Sequence, residues 1–196
     1  AQELGWPREA ALAASLRADV IEGRGELDEA LRIRREEVLP VFEKLCDVIS
    51  RAITVGKIAG VLQARGELDE ALRIRREEEL PVFEKLGDDR PRAITLGRIA
   101  DILQARGELD EALRIRREEE LPVYDKLGDV RSRAVTQGQI ADILVSRGEI
   151  DEALRIRREE ELPVFEKLGD VRERALTLGK IADVLEARGE FDTALR

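Results

Sequence analysis

Between Asp88 and Gly107, apolar residues recur at three- and four-residue steps: Ala93, Leu96, Ile99, Ala100 and Leu103. That spacing keeps one stripe of a helix apolar and predicts an amphipathic α-helix. Leu86-Gly87-Asp88 sets its start. Glycine supplies the left-handed residue that ends the preceding helix, and Asp88 is placed to cap the next. Pro91 falls in the first turn, where a missing N–H is tolerated. Arg106-Gly107 is a glycine stop. A second helix is predicted from about Leu109 to Leu127, apolar at Ala112, Leu113, Leu121, Tyr124 and Leu127, with a polar middle of Arg and Glu. Acidic Glu108, Asp110 and Glu111 stand at its start, where the helix dipole favours them.

The helix pair is one unit of a repeat. The stretch Gly66-Glu67-Leu68-Asp69-Glu70-Ala71-Leu72-Arg73-Ile74-Arg75-Arg76 returns at Gly107 and, with Ile150 for leucine, at Gly148, each 41 residues after the last. Gly25 and Gly189 hold the same phase. Fixed-period self-similarity of this length predicts an all-α array of antiparallel helix pairs over residues 1–196. Both ends fall inside a unit: residues 1–5 align with Phe42-Glu43-Lys44-Leu45-Cys46, and Arg196 follows soon after Gly189. The expectation is a segment cut from a longer array.

Composition narrows the function. The chain has 196 residues, 43% hydrophobic and 39% charged but only 3% aromatic, so burial must come from small and aliphatic side chains. Its formal charge of −9 is spread as interleaved signs, which gives no footprint for nucleic acid or an anionic membrane. No apolar run approaches the roughly 20 residues a spanning helix needs. Cys46 is the only cysteine, so the expected setting is soluble and cytoplasmic. Without His, and with one Cys, clustered glutamates make a poor transition-metal site, so no cofactor is expected. No nucleophile has a base beside it, and nothing points to catalysis.

The units resemble the tetratricopeptide repeat (TPR), in the long-repeat form found in kinesin light chains and in sensor regions of bacterial signalling ATPases. Ala100 matches the family's small residue of the first helix, Gly107 its turn glycine, Leu109 the bulky residue two on, and Ala112 its packing alanine. The same pattern is Ala59, Gly66, Leu68, Ala71 and Ala141, Gly148, Ile150, Ala153. The resemblance implies a right-handed α-solenoid that binds a protein or peptide in a concave groove lined by first helices. Two departures stand out. Arg34, Arg75, Arg116 and Arg157 occupy the place where the family packs a ring, and the unit is about one residue longer, the extra residue falling in Glu77-Glu78-Glu79-Leu80-Pro81. A proline inside a helix removes one hydrogen bond and collides with the carbonyl four residues back, so a kink or π-type bulge is predicted near Pro40, Pro81, Pro122 and Pro163.

Several side chains invite a function. The Arg-Ile-Arg-Arg-Glu-Glu-Glu run reads as a solvated face with pairs such as Asp69–Arg73 and Arg73–Glu77, or as an inter-repeat ladder in which glutamates of the same or adjacent units interleave with the arginine column. Trp6 reads as a buried anchor at the first junction, and Cys46 as tolerated drift from the glycine at 87, 128 and 169. Second helices are nearly constant, whereas first helices vary at three positions. These are Lys57, Arg98, Gln139 and Lys180; Gly60, Asp101, Asp142 and Asp183; and Gln63, Gln104, Val145 and Glu186. Each set lies three residues after the last, so the sets share one helix face, the expected partner surface. Its acidic column favours a partner offering Lys, Arg or backbone N–H groups. The alternative is a spacer or scaffold that stacks end to end through exposed apolar ends.

Overall fold

The computed structural model describes residues 6–190; the alignment read for residues 1–5 and the stop at Arg196 lie outside them. The described residues are helical and contain no strand. They divide into two compact units, one ending at Arg106 and the other starting at Gly107. The first holds α1 (Pro7–Gly23), α2 (Leu27–Ile33), α3 (Leu39–Lys44), α4 (Val48–Ala64), α5 (Leu68–Ile74), α6 (Leu80–Leu86) and α7 (Asp89–Ala105). The second holds α8 (Leu109–Arg114), α9 (Leu121–Leu127), α10 (Val130–Ser146), α11 (Ile150–Ile156), α12 (Leu162–Leu168) and α13 (Val171–Ala187). Helices α1, α4, α7, α10 and α13 are the first helices of the repeat. Each second helix is a pair, such as α5 and α6, joined end to end through a π turn.

Those π turns cover Arg34–Val38, Arg75–Glu79, Ile115–Glu120 and Arg157–Glu161. The backbone N–H of Leu39, Leu80, Leu121 and Leu162, each just before a proline, donates to the carbonyl five residues back. The bulge predicted at the prolines is therefore present. A wider turn relieves the contact between the proline ring and the preceding carbonyls and absorbs the extra residue of the unit. It also restores the buried face. At about 100° per residue, Ile74 and Phe83 would lie on opposite sides of a regular helix. With one residue absorbed, both are buried.

The core is aliphatic. Ala93, Leu96, Ile99, Ala100 and Leu103 are all buried, as their spacing requires, and so are Ala112, Leu113 and Tyr124. Leu127, expected on the same face, lies in the last turn of α9 and is exposed. In the first unit α4 packs on α5 and on α3; in the second, α10 packs on α11 and on α9. First helices close onto the next helix through a left-handed glycine. At Gly66 (φ 81°), its own N–H and that of Glu67 donate to Gln63 and Leu62, satisfying the last carbonyls of α4.

The other junction shows what one residue type changes. Gly87, Gly128 and Gly169 are left-handed, and Cys46 adopts the same conformation at φ 53°. A residue with a Cβ pays about 1–2 kcal/mol there, so the cysteine carries strain as well as drift. Asp47, Asp129 and Asp170 accept from the backbone N–H three residues on, at Ser50, Ser132 and Glu173. Asp88, expected to do the same, makes no side-chain cap bond. Its third residue is Pro91, which has no N–H to give. Trp6 also departs from expectation: it precedes α1 with 70% of its surface exposed and is no buried anchor.

Candidate partner-binding face

The arginine column organises the face. Arg34, Arg116 and Arg157 are 1% exposed and Arg75 is 6% exposed, so the run read as a solvated middle contains one buried cation per unit. Burying a guanidinium is costly unless carboxylates surround it. In the first unit Arg75 donates to Glu79 at 2.8 Å; in the second, Arg116 donates to Glu120 at 2.8 Å and Arg157 to Glu161 at 3.0 Å. The glutamate comes from the same helix, four residues on. In these three units the pair closes within one second helix. Thr136 and Thr177 donate to Glu120 and Glu161 from the following first helix. Burial pushes the Glu79 and Glu161 carboxyls up, against the pull of their arginines. It pulls Arg75 down. Desolvation outweighs pairing on both sides of that pair.

The glutamates shape the first helices in turn. A Cβ on Gly56 would collide with the Glu79 carboxylate, and one on Gly138 with Glu161. One register earlier the chain carries Ser15 and Val38 at the matching positions. Where the glutamate is absent, the glycine is absent too. Arg34 then takes its counter-charge from α1, donating to Asp19 at 2.8 Å and Glu22 at 2.6 Å.

This brings the column into contact with the variable face. Asp19 bridges Arg34 to Lys57, which approaches at 2.7 Å. Burial raises the Asp19 carboxyl, but Lys57 and Arg34 together hold it below the usual carboxylate range. Asp142 repeats the bridge between Arg157 and Lys180, the latter at 2.6 Å. Gln139 accepts from Arg116 at 2.8 Å. Arg98 turns to Asp101 on its own helix, at 3.6 Å. Adjacent first helices are thus tied by Lys57–Asp19 and Lys180–Asp142.

The acidic column is accordingly not bare charge, since Asp142 is neutralised from within the chain. Gln63, Gln104 and Val145 are half-buried, and Asp183 and Glu186 are exposed. Each lies on the same face of its own helix as the bridging residues. Sequence reading missed Asp19 and Glu22, which hold the register of Gly60 and Gln63 one unit upstream, and the buried arginines beneath. The 41-residue period was the available signal for the first two. The surface pairs also shift: Arg73 binds Glu70 and Glu77, while Asp69 binds Arg106 at 3.0 Å.

Comparison with known proteins agrees with this architecture. The tetratricopeptide-repeat family profile matches residues 59–77 and 100–118. No curated protein matches the chain in sequence. Among solved structures, the kinesin-light-chain-like, nearly identical TPR-like repeats of Podosopora anserina are 20% identical, with a TM-score of 0.76 over 98% of this chain and 92% of that one. BtubC (BKLC) from P. vanneervenii is 19% identical, with a TM-score of 0.78 over 92% of this chain and 74% of the other. A signal-transduction ATPase with a tetratricopeptide repeat sensor, from Pyrococcus horikoshii, is 17% identical with a TM-score of 0.78. That match covers 95% of this chain and 28% of the ATPase. The fold is a TPR-like α-solenoid, and the family profile supports the tetratricopeptide-repeat reading over the residues it matches.

Proposed function

We propose that the chain is a protein-binding segment whose partner lies along the first-helix face marked by Lys57, Gln63, Arg98, Asp101, Gln104, Gln139, Asp142, Val145, Lys180, Asp183 and Glu186. TPR-like folds are in general protein-interaction scaffolds, and the reading narrows that role to one face. One observation carries it. Substitutions between units concentrate on one first-helix row, and two of its side chains, Asp142 on Arg157 and Gln139 on Arg116, are held by buried arginines. Side chains ordered in advance lose less entropy when a partner arrives. Among the described residues no helix is long and apolar enough to cross a membrane.

The test selects peptides from a displayed library against the purified chain. Binding is then measured to a variant carrying Gln63→Arg, Gln104→Arg and Val145→Arg, three positions outside the arginine bridges. The expected result is loss of binding with an unchanged melting temperature. Retained affinity would move the partner off the first helices.

A further inference from the structure

The bridge between a buried arginine and the following first helix is built on an aspartate at Arg34 and Arg157, and Arg75 has no such aspartate. Asp19 serves Arg34 and Lys57, and Asp142 serves Arg157 and Lys180. The residue at that register in α4 is Gly60. Arg34 and Arg157 are each held by two carboxylates, whereas Arg75 meets only that of Glu79 among the described residues. Arg75 is 6% exposed, and its Nη2 lies 3.8 Å from where a Cβ on Gly60 would stand. Apart from that nitrogen, no side chain lies within 4 Å of that Cβ position. Beside it Arg98, at the register of Lys57 and Lys180, is largely exposed and leans back to Asp101 at 3.6 Å. Arg75 thus borders a position that elsewhere holds a carboxylate, and Arg98 neighbours it by register, with Asp101 the other charge that Arg75 feels from α7.

We propose that Gly60, Arg75 and Arg98 form a receptor for one acidic side chain, an Asp or Glu of an extended partner segment, which completes the bridge in trans. The proposal rests on the first-helix face being the partner surface and adds the chemistry recognised there. A carboxylate fits because the chain places one at this register beside a buried arginine twice, and at Arg157 beside an Arg–Glu pair like that of Arg75; a guanidinium–carboxylate bond is charge-assisted. The site also breaks the equivalence of the repeats. Near-identical units offer a peptide several equal registers, and a carboxylate receptor at the register of Gly60 anchors it at one of them.

The test is an amide and guanidinium NMR titration of the full chain with three probes: a blocked Gly-Ser-Glu-Ser-Gly peptide, its Gln counterpart, and sodium acetate. Saturable shifts of the Gly60 amide and of the Arg75 and Arg98 Nε–H signals are expected with the Glu peptide. The Gln peptide should be weaker by about tenfold or more, as for loss of one charge-assisted bond. Gly60→Asp, which supplies the carboxylate internally, should abolish these shifts and raise the melting temperature; Gly60→Asn should weaken the peptide without matching that rise. Asp142→Gly should create a second responding site at Arg157. Equal response to the Glu and Gln peptides, acetate binding as tightly as the Glu peptide, or binding unchanged by Gly60→Asp would each overturn the proposal. If a library-selected peptide still perturbs Gln63 and Gln104 in the Gly60→Asp chain, the partner face stands without this receptor. Silence at all these positions removes both.

Discussion

Arg34 and Arg75 stand one repeat apart, each the first residue of its π turn and both buried, yet their surroundings differ. Arg34 has Val38 four residues on, with Ser15 at the register of Gly56, and relies on Asp19 and Glu22 of α1. Arg75 has Glu79 and Gly56 instead, and no acid at position 60. The comparison teaches that the buried cation is the constant of the unit and the source of its counter-charge is interchangeable. Each source imposes its own condition on the facing helix: a carboxylate inside requires a glycine opposite, and a carboxylate on the first helix does not.

The largest effect that would break the comparison is at the cation itself. Arg75→Ala strands Glu79 as a buried, unpaired acid and should cost about 3–5 kcal/mol. Arg34→Ala leaves only half-exposed acids behind and should cost clearly less. Equal losses in chemical denaturation of the two variants would mean that Glu79 is not held by Arg75 alone. Next comes Gly56→Ala, which drives a methyl into the Glu79 carboxylate and should destabilise by about 1–3 kcal/mol. In a Glu79→Val background the same change should turn favourable by up to about 1 kcal/mol, since alanine is the better helix former. A double-mutant cycle with no coupling would refute the glycine–glutamate linkage.

A smaller contrast of the same kind sits at the helix starts. Asp129→Ala should cost about 1 kcal/mol through the lost bond from Ser132. Asp88→Ala should cost close to nothing, because Pro91 offers no N–H. Matching losses would show that Asp88 acts through charge and not as a cap. The smallest effect is in pH dependence. Glu79 has a raised folded pKa, so its favourable contribution is complete below the unfolded carboxylate value and is lost as pH rises through the folded one. Asp19 and Asp47, held below their ordinary values, act in the opposite sense and lose their contribution as pH falls. The melting temperature of Glu79→Gln relative to the parent should therefore climb as pH increases across the acidic range. A flat difference would mean that burial leaves the Glu79 carboxyl at its ordinary value.

Much of the fold was legible because it is local. The 41-residue register, the helix pairs, the glycine stops and the irregularity before Pro40, Pro81, Pro122 and Pro163 follow from spacing, left-handed backbone preference and one missing N–H. The Asp88 cap was misjudged although its cause, Pro91, lies three residues away. An aspartate at a helix start caps only where the third residue has an N–H to give. The candidate face was half legible. Variation picked out Lys57, Asp142 and Lys180, while Asp19 and the arginines that hold these side chains went uncounted.

The sequence by itself determined where the helices begin and end, how often they recur, and where the second helix must widen, because those depend on hydrogen bonds and sterics within a few residues. Only the tertiary structure decided which charge of Arg-Ile-Arg-Arg-Glu-Glu-Glu goes inside. Arginines and glutamates are alike in a linear reading. The π turn rotates one arginine of each run and, in three units, the glutamate four residues on toward the packed first helix, where lost solvation makes each demand its partner. The same packing turns Gly60, one substitution among many in the sequence, into the single register where the chain does not supply a carboxylate that its sister sites contain.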